Sequence, residues 1–155
     1  MFTVSTPEEM EAIGRKIALM ITCPVNLWLR GPLGAGKTVF AKGVLDGIDA
    51  GEPVSSPSYL VAKEYPLGRV PTVHLDLFRI NCYARFQELG LSEYLDGNWL
   101  VICEWADRIG ELTKIEGIFV NFELIDIATR SLSLICKAAG PERELYKAWG
   151  ADIDA

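Results

Sequence analysis

Residues 25–48 hold the tightest constraint in this chain: an apolar run, then a glycine loop, then a stretch with helical spacing. The loop reads Gly31-Pro32-Leu33-Gly34-Ala35-Gly36-Lys37-Thr38 and matches the spacing G-x-x-x-x-G-K-[ST]. Before it, Val25-Asn26-Leu27-Trp28-Leu29 fits a buried strand. After it, Val39-Phe40-Ala41-Lys42-Gly43-Val44-Leu45 fits a helix that runs to about residue 48, where Gly47 and Gly51 break it. A strand that turns at once into a helix needs backbone free of Cβ obstruction, which Gly31, Gly34 and Gly36 supply. The amides of residues 31–39, through Val39, then turn inward at a helix N-terminus, where unpaired N–H groups and the macrodipole favour an anion. Lys37 is placed to reach the β- and γ-phosphates of a nucleoside triphosphate, and the Thr38 hydroxyl to ligate Mg²⁺.

The remaining pattern predicts an α/β fold: a single-domain three-layer sandwich over residues 1–140, with a mixed central sheet containing antiparallel hairpins, and a short C-terminal helix and tail at 141–155. Thr6-Pro7-Glu8-Glu9 reads as a capping box with proline at the first helical position, and Met10, Ile13, Ile17 and Met20 then recur on one face. Strands are expected over 58–65 and 70–78, paired around Pro66-Leu67-Gly68-Arg69. A helix is expected over 81–94 with Phe86, Leu89 and Leu91 inward, and a buried strand over 99–105. A second hairpin is expected from 118–127 and 131–136, turning at Ala128-Thr129-Arg130, and Pro141 opens a helix through Trp149.

Composition narrows the function. Half of the 155 residues are hydrophobic and 23% are charged, an ordinary globular balance. No apolar run approaches the roughly 20 residues that span a bilayer. Three acidic residues precede the first basic one and no signal pattern opens the chain, so a cytoplasmic protein is expected, monomeric or weakly oligomeric by itself. Cys23, Cys82, Cys103 and Cys136 are too widely spaced for a zinc motif or a disulfide framework. Fifteen basic residues scattered among 21 acidic ones give a net charge of −6, which argues against this chain gripping nucleic acid alone.

A triphosphate site also needs a carboxylate for the metal and a group that orients water. Asp76 follows Thr72-Val73-His74-Leu75, and Glu104 follows Leu100-Val101-Ile102-Cys103. Each ends an apolar strand, the edge at which α/β sheets gather ligands. Asp76 is expected to support Mg²⁺, directly or through water, and Glu104 to polarise the attacking water, roles that could be exchanged. Thr38, Asp76 and Glu104 are therefore the candidate metal residues, and Lys37, Asp76 and Glu104 the candidate catalytic ones. Trp105 is a candidate nucleotide contact, while mid-strand Trp28 reads as core. His74, the sole histidine, shares a face with Asp76 and could touch that carboxylate; a packed histidine bonded to backbone is the preferred reading. Arg79 suits a phosphate or a salt bridge to Asp76 or Glu88.

Beyond the loop, the order of short motifs resembles one family, the ATPase component of tRNA threonylcarbamoyladenosine biosynthesis, TsaE. Ser56-Pro57-Ser58-Tyr59 is similar to its S-P-T-[FY], with Glu64-Tyr65 at the expected distance. His74-Leu75-Asp76-Leu77-Phe78-Arg79 is similar to H-x-D-x-Y-R. Glu88-Leu89-Gly90-Leu91-Ser92-Glu93-Tyr94-Leu95 is similar to E-L-G-hydrophobic-x-E-Y-L, and Cys103-Glu104-Trp105-Ala106-Asp107-Arg108 to I-E-W-x-[ED]-R. The likeness runs from about residue 28 to 108. It implies an ATPase using ATP and Mg²⁺ that supports the TsaD and TsaB proteins as they transfer a threonylcarbamoyl group to adenosine 37 of tRNA, which reaches this chain only through the complex. By position it implies that Lys37 and Thr38 bind phosphate and Mg²⁺, Asp76 serves the metal, Glu104 is the catalytic acid, and Ser56 and Ser58 lie in a nucleotide-sensing switch. Ser58 and Phe78 depart from the family's threonine and tyrosine; the second loses a hydroxyl.

The rivals are weaker. A small-molecule kinase would need a lid or insert, and the connections are short. A GTPase would need [NT]-K-x-D, which Thr113-Lys114-Ile115-Glu116 imitates but ends in glutamate before a strand. A nucleotide-gated binding module with little hydrolysis uses nearly the same residues as a hydrolase.

Overall fold

Thr6 caps the first helix, α1 (Pro7–Met20), as its pattern dictates: its hydroxyl accepts from the Glu9 N–H at 3.1 Å, and the Glu9 carboxylate accepts from the Thr6 N–H at 3.3 Å. The structure, a computed structural model, describes residues 1–51 and 60–153. Among the described residues seven strands form the sheet: β1 (Phe2–Val4), β2 (Asn26–Arg30), β3 (Ala62–Tyr65), β4 (Thr72–Asp76), β5 (Leu100–Glu104), β6 (Gly117–Leu124) and β7 (Arg130–Lys137). Their spatial order is β1-β7-β6-β2-β5-β4-β3. The central strands β6, β2, β5 and β4 run parallel, and β3, β7 and β1 join antiparallel at the margins. The mixed sheet with two hairpins is therefore as expected.

Alternation along the parallel strands sorts two cores. Leu27, Leu29, Leu100, Ile102, Ile118 and Val120 face α1, α2 (Lys37–Gly47) and Trp149 of α4 (Pro141–Ile153). Trp28, Val73, Leu75, Val101, Cys103 and Phe119 face the opposite layer, where Phe86 of α3 (Tyr83–Glu88) packs with Leu91, Ala106, Ile109 and Leu112 from short 3₁₀ turns. Helices α1 and α2 meet backbone to backbone. A Cβ on Gly14 would stand 2.3 Å from the Phe40 carbonyl oxygen, and one on Gly43 would stand 2.1 Å from that of Glu11. That closeness brings α2, and the loop at its start, tightly against α1.

Several boundaries differ from expectation. The helix expected over 81–94 ends with α3 at Glu88, because Gly90 turns left-handed at φ 73° and a separate 3₁₀ turn, Leu91–Leu95, follows. The turn rotates Leu89 out of the core, leaving it 39% exposed instead of inward. Strand β3 is shorter than expected, since Leu60 and Val61 form a turn; residues 58 and 59 lie outside the described residues. Arg130 pairs with Leu124 as the first residue of β7 instead of belonging to the turn. Strand β1 was unforeseen: three residues are too short to show a period, and their place comes from pairing with β7. Helix α4 continues past Trp149, whose indole is buried in the core. No helix among the described residues is long and apolar enough to cross a membrane.

Candidate functional site

Parallel strands β2, β5 and β4 end side by side, and Leu29, Glu104 and Asp76 are register neighbours across them. The glycine loop leaves the end of β2 and enters α2 with Gly36 as N-cap in the left-handed region (φ 98°) and no side chain capping the helix. Its first amides are thus available to a ligand. A cleft of about 360 Å³ opens here, lined by the loop from Leu33 to Val39 and by Asp76, Phe78, Arg79, Glu104 and Trp105. Gly34, Ala35, Gly36, Lys37 and Thr38 all border it. Gly31 and Pro32 do not line the cleft; their carbonyls accept from Lys37 Nζ at 2.6 and 2.8 Å. Gly31 is also fixed by packing, since at φ 137° a Cβ there would stand 2.4 Å from the Phe122 carbonyl oxygen.

The charges are held close together. Lys37 is 4% exposed, and its ammonium also lies 3.6 Å from the centroid of the Trp105 ring. Burial holds this ammonium below the usual lysine range, opposed by the negative charges of Glu104, Asp107 and Asp76. Glu104, 2% exposed, accepts from the Thr38 hydroxyl on one oxygen (2.8 Å) and meets His74 Nε2 with the other (2.8 Å). Asp76 accepts from the Phe78 N–H at 2.9 Å. Among the described residues no three His, Cys, Asp or Glu side chains are grouped to hold a metal by themselves. That donor set fits Mg²⁺, which keeps waters and takes one or two protein oxygens plus phosphate oxygens.

Several side chains sit differently from the sequence reading. His74 is buried and its side chain is bonded to Glu104, neither to backbone nor to Asp76, and its Nδ1 has no hydrogen-bond partner among the described residues. Strand alternation gave its face; the parallel register that lays β4 beside β5 gave its partner. Trp105 lines the cleft from a left-handed backbone (φ 61°), rare for a bulky residue. Phe78 also lines it, 43% exposed and 5.1 Å from the Trp105 ring, so the ring serves as a packing surface without the hydroxyl. Arg108 went unremarked in the sequence except within a motif. It donates to the Phe78 carbonyl at 2.6 Å and lies over the Phe78 and Trp105 rings. Arg79 lines the cleft, while Glu88 pairs with Arg85 instead. Ser56 and Ser58 lie outside the described residues. The GTPase-like string ends at Glu116, whose carbonyl accepts from Asn26 and Trp28, toward the start of β2 and away from the loop at its other end. It therefore stands far from the cleft's chemistry.

Known proteins resemble this chain in sequence and in fold. The B. subtilis (strain 168) protein "tRNA threonylcarbamoyladenosine biosynthesis protein TsaE" is 39% identical over 105 residues, 68% of this chain and 65% of its own length. The chain thus spans just under two thirds of that relative. The protein of the same name from Rickettsia conorii is 32% identical over 137 residues, covering 87% of this chain and 77% of its own. The crystal structure of Bacillus subtilis YdiB superposes with a TM-score of 0.80 at 28% identity, covering 98% of this chain and 94% of that one. Residues 4–132 match the model of the family described as threonylcarbamoyl adenosine biosynthesis protein TsaE, and the chain belongs to that family.

Proposed function

We propose that this chain binds and hydrolyses ATP in the cytoplasm as the component of the tRNA threonylcarbamoyladenosine machinery that keeps the TsaD–TsaB transferase pair turning over. The observation that carries this reading is the hydrogen-bonded chain Thr38–Glu104–His74 beside Lys37, with Glu104 and His74 buried, set where three parallel strands end. A carboxylate held on both oxygens, next to a buried cation and uncapped helix amides, suits the ordering of one water against a phosphoryl group. The loop amides and Lys37 hold the polyphosphate, Thr38 and Asp76 hold Mg²⁺, and Glu104 orients the attacking water. When bound, Mg²⁺ would neutralise charge on the phosphate oxygens. Trp105 and Phe78 flank the ligand, and Ser56 and Ser58 belong to the segment that senses it. The acidic charge of the chain leaves tRNA to the partners.

The test separates binding from hydrolysis. Glu104→Ala is expected to keep ATP affinity within about threefold while slowing phosphate release by roughly 10²-fold or more, and Lys37→Ala to weaken ATP binding about tenfold or more. Titration calorimetry and a phosphate-release assay read the two. Hydrolysis by Glu104→Ala at the unsubstituted rate removes Glu104 from its role. Tight ATP binding with no hydrolysis by the unsubstituted protein, with or without TsaD and TsaB, would make it a nucleotide-gated binding module instead.

A further inference from the structure

Two motifs take no part in the cleft around Lys37: Glu64-Tyr65 and the run from Glu88 to Leu95. The fold brings parts of both to a second cleft of about 470 Å³, between β3 and the 3₁₀ turn Leu91–Leu95. Its apolar wall includes Leu60, 72% exposed, and Leu89, with the Tyr94 ring edge-on to Trp99 at 5.5 Å. Glu64, Glu93 and Asp96 also line it, and no Lys or Arg does among the described residues. Glu64 and Asp96 are held in place. Tyr94 donates its hydroxyl to Glu64, and Asp96 accepts from the backbone and side chain of Asn98 at 2.9 and 2.8 Å. Exposed leucines beside fixed carboxylates form a surface complementary to an apolar side chain flanked by cations, and one that repels a nucleic-acid backbone.

A backbone hydrogen bond connects this cleft to the first one. Val61, in its wall, adopts φ 63°, a left-handed conformation disfavoured for a β-branched residue. The Ala62 N–H donates across it to the Leu60 carbonyl at 2.7 Å, closing a tight γ-turn. The Val61 carbonyl itself accepts from the Asp76 N–H at 2.8 Å. One strained peptide therefore joins the wall of the second cleft to an acid of the first.

We propose that the second cleft docks a segment of a partner polypeptide presenting an apolar side chain between Lys or Arg residues, and that the Val61 turn transmits docking to Asp76. The partner's identity rests on the function proposed above; the cleft's chemistry does not. Two probes test it. The peptide acetyl-Arg-Leu-Leu-Arg-amide, titrated to millimolar concentration against the ¹⁵N-labelled chain, is expected to shift the amides of Ala62, Glu93, Tyr94 and Asp76. Glu93→Lys and Leu60→Asp alter exposed positions and should leave ATP affinity and the thermal midpoint unchanged. Both are expected to weaken binding to the purified TsaD–TsaB pair, in ATP and Mg²⁺, by about tenfold or more. Undiminished binding of both variants to the pair overturns the proposal. Should the unsubstituted chain not bind the pair at all, the partner assignment falls and the peptide decides: no shifts at the cleft overturn the docking site. Cleft shifts with Asp76 unmoved overturn the transmission through Val61.

Discussion

His74 shows how much one side chain can decide. It meets Glu104 at 2.8 Å in a site where both residues are almost fully buried. A buried carboxylate that loses a hydrogen-bond partner costs on the order of 1–3 kcal/mol and gains rotamer freedom. His74→Phe is therefore expected to lower the thermal midpoint by several degrees and hydrolysis by about 10- to 100-fold, with ATP affinity within about threefold. His74→Gln places an amide donor near the lost Nε2 and should restore part of the rate. Parallel loss of affinity and rate in His74→Phe would mean that the histidine shapes the whole cleft and does not orient Glu104. The sequence could not name this pair. Alternation shows which face His74 takes, but the chain between it and Glu104, 30 positions on, carries no sign that β4 lies beside β5 in a register placing Asp76 opposite Glu104.

At the scale of elements, glycines do two different jobs that look alike in sequence. Gly14, Gly43 and Gly47 sit within helices, where propensity alone counts each as a loss of about 1 kcal/mol against alanine. Their service is to let α1 and α2 touch, which only the packed structure reveals. Gly90 instead supplies a left-handed turn and has no atom within 4 Å of its ideal Cβ position. Gly14→Ala is expected to destabilise by about 2–4 kcal/mol, because the new methyl meets the Phe40 carbonyl and the helices must separate. Gly90→Ala should cost about 1–2 kcal/mol, through backbone strain alone. Urea unfolding reads both, and Gly110→Ala, in open space, is the neutral control. Equal losses for the first two would count against the helix seam. The strand–loop–helix at residues 26–47 was legible beforehand because each part is local: a short apolar run, glycine torsions and helical spacing. The break at Gly90 was not, since the apolar spacing runs on through it.

At the scale of the whole molecule, charge and shape set a division of labour with any partner. A chain with 15 basic and 21 acidic residues lacks the clustered cations whose counterion release drives phosphate-backbone binding. The arginines nearest the cleft are largely committed: Arg108 is bonded to the Phe78 carbonyl, and Arg30, next to the loop, lies 3.9 Å over the Phe119 ring. Burial keeps the Arg30 guanidinium below its usual range, with Asp107 opposing the shift. Arg79 lines the cleft, yet nothing holds it in a fixed direction toward the ligand among the contacts described. A transferred phosphoryl group develops charge that a well-placed arginine stabilises by roughly 10³-fold or more. Hydrolysis by the isolated chain should accordingly be slow, on the order of one turnover per minute or less, and rise at least about tenfold when TsaD and TsaB are added. The same mixture should retain tRNA at about 150 mM salt on a filter, whereas the chain alone should not. A phosphate-release assay and the filter experiment share one preparation, so each controls the other. Fast hydrolysis by the chain alone would mean that Arg79 already completes the site, and Arg79→Ala would then abolish the excess rate.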